Sequence, residues 1–139
     1  MRIMGIDYGD RRIGVAVTDL LGITAQGVAT VQNRGAEKVK IEFEKLLKEY
    51  NPEKIVLGLP KNMDGTEGPR AQLCREFAAV LEEQIGLPVH LWDERRTTVE
   101  AHYILSEHNY HGNKRKNTVD AVAASLILEG YLNFRKLNS

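Results

Sequence analysis

Four acidic side chains in this 139-residue chain stand at the ends of apolar stretches. Asp7 closes the run Ile3-Met4-Gly5-Ile6, Asp93 and Glu94 close Val89 to Trp92, and Asp120 opens a long apolar helical pattern. A carboxylate in such a place is costly unless water, a cation or hydrogen-bond donors meet it. Hard oxygen ligands from two strand ends and a helix suit magnesium or manganese. Two such ions can activate a water on one side of a phosphodiester and stabilise the leaving oxygen on the other. In that chemistry Asp7, the most central, bridges the ions, while Glu94 and Asp120 each hold one from the side. Asp7 and Asp120 also have plain structural explanations: turn hydrogen bonds for Asp7 and helix-terminus electrostatics for Asp120. Neighbouring residues of a strand point to opposite faces, so at most one of Asp93 and Glu94 joins Asp7. Glu94 reaches farther and is preferred, which leaves Asp93 to cap or brace the segment that follows.

Basic residues accompany each acid. Arg11 and Arg12 follow the first strand, Arg95 and Arg96 follow Glu94, and Lys114, Arg115 and Lys116 precede Asp120. They could contact phosphate or neutralise the acids; structural ion pairs are the alternative. Other chemistries find less support. His90 and His102 have no zinc-type spacing around them. Cys74 has no evident base, and no serine sits in a nucleophile elbow.

The elements that must position these groups follow from periodicity. Residues 3–7 and 13–18 alternate as strands around a Tyr8-Gly9 turn, with Gly14 leaving room for close approach. Residues 23–31 make a weaker third strand, where Gly27 suggests a bulge or an edge. Val39, Phe43, Leu46 and Leu47 recur at helical spacing over 36–50, and Pro52 closes that helix. A strand at 54–59, a polar segment at 61–68, a helix at 69–84 and a strand at 89–92 come next. Thr97 or Thr98 caps a helix to about His108, residues 109–116 read as a polar loop, and a last helix starts at Asn117 or Thr118. This order predicts an α/β domain spanning 1–139: a five-stranded mixed sheet, antiparallel in its first three strands, with flanking helices. With the first strand central, the carboxyl ends of the first and fifth strands meet at a crevice.

Composition is ordinary for a soluble chain, 42% hydrophobic and 27% charged. Nineteen basic and nineteen acidic residues cancel, so bulk charge gives no support for a nucleic-acid partner. No apolar run approaches a bilayer span, the amino terminus lacks a secretory apolar core, and a lone cysteine makes no internal disulfide. These features point to the cytoplasm.

Taken together, GIDYGDRRIGVAVTD at 5–19, GLPKNMDGTEGPRA at 58–71, WDERRTTVEA at 92–101 and DAVAASLILEGYL at 120–132 closely resemble the YqgF family. That family is known as Holliday-junction resolvases or pre-16S ribosomal RNA nucleases with a ribonuclease H-like fold. The resemblance implies metal-dependent phosphodiester hydrolysis with Asp7, Glu94 and Asp120 as catalytic acids and ligands of Mg2+ or Mn2+. Gly9 and Gly14 match its turn and close-packing glycines. It also moves the segment from Lys61 to Arg70, with Asn62, Thr66, Glu67 and Arg70, from a mere connection toward substrate positioning. The expected partner is pre-16S rRNA or its precursor particle, met by a monomer or weak homodimer. Four-way junction DNA cut by a dimer is the enzymatic alternative. A non-enzymatic RNA-binding assembly factor is the reading from another class, and an actin-like ATP-binding protein is a more distant one.

Overall fold

The computed structural model describes residues 2–94 and 112–137. The chain forms β1 (Ile3–Tyr8), β2 (Arg12–Thr18), β3 (Ala25–Gln32), α1 (Ala36–Tyr50), β4 (Lys54–Leu59), α2 (Pro69–Ile85), β5 (Val89–Asp93) and α3 (Gly112–Leu137). The strands make one sheet in the order β3-β2-β1-β4-β5. The pairs β1–β2 and β2–β3 are antiparallel, whereas β1–β4 and β4–β5 are parallel. The mixed sheet with a central β1 is the one the element order predicts.

Strand alternation divides the core between the two faces. Met4, Ile6, Ile13, Val15, Ile55 and Leu57 pack with Val39 and Phe43 of α1 and with Cys74, Ala78 and Leu81 of α2. On the other face Ile3, Ala16 and Val56 meet Ala124, Ile127, Leu128 and Tyr131 of α3. Ile6 and Leu57 are wholly buried, and burial of a side chain of that size contributes about 1.5–3 kcal/mol.

Local chemistry ends the elements where the sequence says it should. The Asp19 carboxylate accepts hydrogen bonds from the Ile23 amide (2.8 Å) and the Thr24 hydroxyl (3.0 Å), closing the β2–β3 turn. Gly68 and Pro69 start α2, and left-handed Gly86 ends it. Gly27 marks both things expected of it. The β2–β3 register pairs Val15 with Ala29 but Ala16 with Gly27, so Val28 is the extra residue of a bulge on an edge strand.

One expectation is corrected. Residues 112–116 are not loop, because α3 already begins at Gly112. Lys114, Arg115 and Lys116 are good helix formers, and adding turns to a helix anchored by the apolar stripe farther on costs little. The polar composition that reads as a loop therefore lies on an extended helix. The helix expected between Thr97 and His108 lies outside the described residues.

Candidate active site

Two glycines decide what can stand beside Asp7. Across β1–β2, Asp7 pairs with Gly14. A Cβ at Gly14 would overlap the carbonyl oxygen of Asp120, so only glycine lets α3 rest on β2 there. On the other flank, Ile6 pairs with Leu57, and Asp7 and Gly58 are the next residues of their parallel strands. A Cβ at Gly58 would overlap Glu94 Oε2. The gap on β2 thus admits Asp120, and the gap on β4 admits the Glu94 carboxylate.

The electrostatics agree with that placement. Burial pushes Asp7 up to about 6, with the Asp120 charge adding to the shift and Arg70 opposing it. Glu94 is pushed up to about 7, first by burial and then by Asp7, again opposed by Arg70. Asp7 is therefore coupled to both other acids, and Asp93 reaches Glu94 as a weaker added charge. Arg70, in the first turn of α2, is the cation felt by Asp7 and Glu94 alike. Asp120 has a different partner: Arg12 Nε donates to its Oδ2 at 2.7 Å.

Asp7, Gly9, Asp10, Arg11, Arg12, Arg70 and Asp120 line an open cavity of about 320 Å³. Its rim is the β1–β2 turn, where the Gly9 amide donates to the Arg12 carbonyl at 3.0 Å. Asn33 braces that turn twice, its side chain donating to the Gly9 carbonyl (3.0 Å) and its amide to the Arg11 carbonyl (2.8 Å).

Other candidates fall elsewhere. Asn62, Asp64 and Thr66 are tied to one another, with Asn62 Nδ2 donating to Thr66 Oγ1 at 2.9 Å and Thr66 Oγ1 donating to Asp64 Oδ1 at 2.6 Å. Glu67 accepts two bonds of 2.7 Å from Arg75, and the Lys61 charge also reaches it. Of the 61–70 segment, Arg70 is the residue that lines the cavity. Cys74 is buried and its thiol is pushed up to about 12, by burial and then by Glu94, which fits a packing residue and not a nucleophile. His90 stacks obliquely on Tyr131, centroids 5.0 Å apart, and burial followed by the Lys54 charge lowers its pKa. Arg95, Arg96 and His102 lie outside the described residues, as do the side chains of Lys114 and Lys116. Sequence reasoning missed Gly58, Asp10 and Asn33. A strand glycine just before a strand's carboxyl end was the available signal for Gly58.

The donor set suits a hard divalent cation. It is all oxygen, and a bound cation would offset both the burial and the neighbouring negative charge that lift Asp7 and Glu94. Among the described residues, however, no three His, Cys, Asp or Glu side chains converge closely enough to hold an ion as they stand. The acids meet in pairs through Asp7, and Asp120 is turned to Arg12.

A model of one family, described as RuvX, Holliday junction resolvase, matches residues 1–134. The chain belongs to the RuvX family. RuvX relatives agree over nearly the whole length. One from Halothermothrix orenii is 50% identical over 135 residues, 97% of this chain and 96% of the relative, and bears the name "Putative pre-16S rRNA nuclease". One from Desulfitobacterium hafniense bears the same name and is 52% identical over 134 residues, 96% of this chain and 93% of its own. Thermus thermophilus RuvC shares the RuvX chain's fold with a TM-score of 0.59 at 16% identity, covering 97% of both chains. The fowlpox virus Holliday junction resolvase does so at 0.55 and 17%, covering 96% of this chain and 99% of its own.

Proposed function

We propose that this RuvX-family chain is a divalent-metal-dependent nuclease acting in 5′-end processing of pre-16S rRNA. The observation that carries the reading is Asp7 between two glycine gaps, coupled to Asp120 through one and to Glu94 through the other. Near-complete similarity to relatives named as pre-16S rRNA nucleases supports the choice of substrate. Asp7, Glu94 and Asp120 would hold magnesium or manganese, which when bound supplies an activated water and stabilises charge on the leaving oxygen.

The chain's own residues do the rest. Arg11, Arg12 and Arg70 line the cavity that Asp7 and Asp120 share and present planar donors suited to a phosphate. Arg70 favours the ionised forms of Asp7 and Glu94, the forms that bind cations. The Asn33-braced turn fixes the rim against which a nucleic-acid backbone would lie. Specificity would come from the precursor particle, since the chain's charges cancel.

The family's description favours a second reading, cleavage of four-way DNA junctions, for which a dimer would place two such sites. The test is a magnesium and manganese titration with labelled precursor RNA and a four-way junction in parallel, comparing wild type with Asp7→Asn. Metal-dependent RNA cleavage lost in the variant supports the proposal. Cleavage of the junction alone transfers it to the second reading. Tight RNA binding without cleavage, even with the whole precursor particle, replaces the enzyme with an assembly factor.

A further inference from the structure

We propose that Arg12 is an exchangeable guard of Asp120: its guanidinium holds the carboxylate until a divalent cation takes that carboxylate over, and then turns to the substrate phosphate. The proposal rests on the nuclease reading above and concerns how its site assembles. The contact joins groups 108 residues apart, the start of β2 and a position inside α3, at 2.7 Å. Both side chains remain partly open, Arg12 at 29% and Asp120 at 18% exposure, and both line the cavity that also holds Asp7. A partner that lines an open cavity can leave without breaking the core. The cavity offers Arg12 somewhere to go, since a phosphate placed there would meet it together with Arg11 and Arg70.

The remaining geometry fits the exchange. No three ligating side chains converge among the described residues, and a guanidinium already occupies the Asp120 carboxylate. Arg70 faces the other two acids through charge, whereas Arg12 holds a directional hydrogen bond. An Arg–carboxylate pair and a cation–carboxylate pair cannot both use the same oxygen at full strength. Cation binding therefore has to work against Arg12, while phosphate binding gains from Arg12's release. The two ligands are linked in the same direction, each easing the other's entry.

The distinguishing experiment uses the full chain without turnover. Mn2+ affinity is measured in the absence of nucleic acid, and single-stranded RNA affinity in the absence of metal and again with Ca2+, for wild type and Arg12→Gln. Removing the competitor should tighten Mn2+ binding about two- to fivefold, the range such an ion pair supports. The same change should weaken RNA binding and reduce the gain in RNA affinity that Ca2+ brings. Those opposite signs separate exchange from a merely structural role, which would weaken both. Should Arg12→Gln fold poorly, 15N spectra of the wild-type arginine side chains give the answer, with Arg12→Lys to assign the signal. Mg2+ should then move the Arg12 Nε–H resonance from a protected to an exchanging environment. Mn2+ affinity unchanged or weakened in Arg12→Gln, or an Arg12 resonance indifferent to Mg2+, overturns the guard while leaving the nuclease reading intact. Failure of wild type to bind Mn2+ at all overturns both.

Discussion

The two faces of the sheet are built to different tolerances. Toward α1 and α2 the strands present bulk, with Met4, Ile6, Ile13, Val15 and Leu57 filling the space under Phe43 and Leu81. Toward α3 the strands present Ile3 and Val56 but also glycines, and Gly5, Gly14 and Gly27 on three adjacent strands lie within about 3 Å or less, counted from an added Cβ, of α3 atoms. Bulky faces hold a fold together by area, and a neighbouring rotamer can absorb a methyl more or less. The α3 face has no such slack where backbone meets backbone. Its closeness is what brings Asp120 to Asp7, so the face that carries chemistry has given up side-chain volume for position.

Substitutions on either face test that contrast. The largest effect belongs to the acid at the meeting point. Asp7→Asn should lower metal-dependent cleavage at least about a thousandfold, equal to about 4 kcal/mol of barrier, with the circular dichroism of a folded chain retained. Gly14→Ala should be next. Its methyl collides with the Asp120 backbone, and the forced shift should cost about 3 kcal/mol or more in urea melts, the upper part of the range for overpacking.

The pH dependence of the metal-free protein should follow the buried acids. Asp7 holds its proton more tightly when folded, with a pKa of about 6 against 3.8 for the ordinary carboxyl. Its ionisation therefore opposes folding, in a penalty absent below about pH 4, growing through pH 6 and complete above it. Glu94, at about 7, adds a penalty of the same sign. In chelator, Asp7→Asn should be more stable than wild type by about 2–3 kcal/mol at pH 8 and no more stable at pH 4. A difference that stays constant between those pH values would mean that Asp7 is not the strained acid.

Gly58→Ala separates the two glycine gaps. Its methyl meets the tips of Glu94 and Ile127, not backbone, so side chains can yield. Cleavage should fall about tenfold, or about 1.4 kcal/mol, while stability changes by less than about 1 kcal/mol. On the bulky face Ile13→Val should cost about 1 kcal/mol in stability and leave cleavage unaltered. Equal costs for Gly14→Ala and Ile13→Val would erase the distinction between the faces.

Much of this arrangement is legible in the chain. Period-two alternation around Gly14 separates the two faces of β2, and the Val39–Phe43–Leu47 stripe marks α1, because burial acts on each segment locally. Gly27 announces an edge and a bulge for the same reason. The start of α3 at Gly112 was hidden, since a polar run carries the composition of a loop while its lysines and arginine extend a helix anchored elsewhere. Gly58 was hidden as well. Its lack of a side chain matters only because Glu94, 36 positions on, folds over it.

The order of residues thus determined which acids border apolar stretches and which way each strand faces, because those depend on neighbours along the chain. Tertiary structure alone decided the pairings: Asp7 coupled to both Glu94 and Asp120, Arg12 bound to Asp120, and Arg70 facing the other two acids. A charge interacts with whatever folding brings within a few ångströms of it, and no spacing in the sequence states that distance.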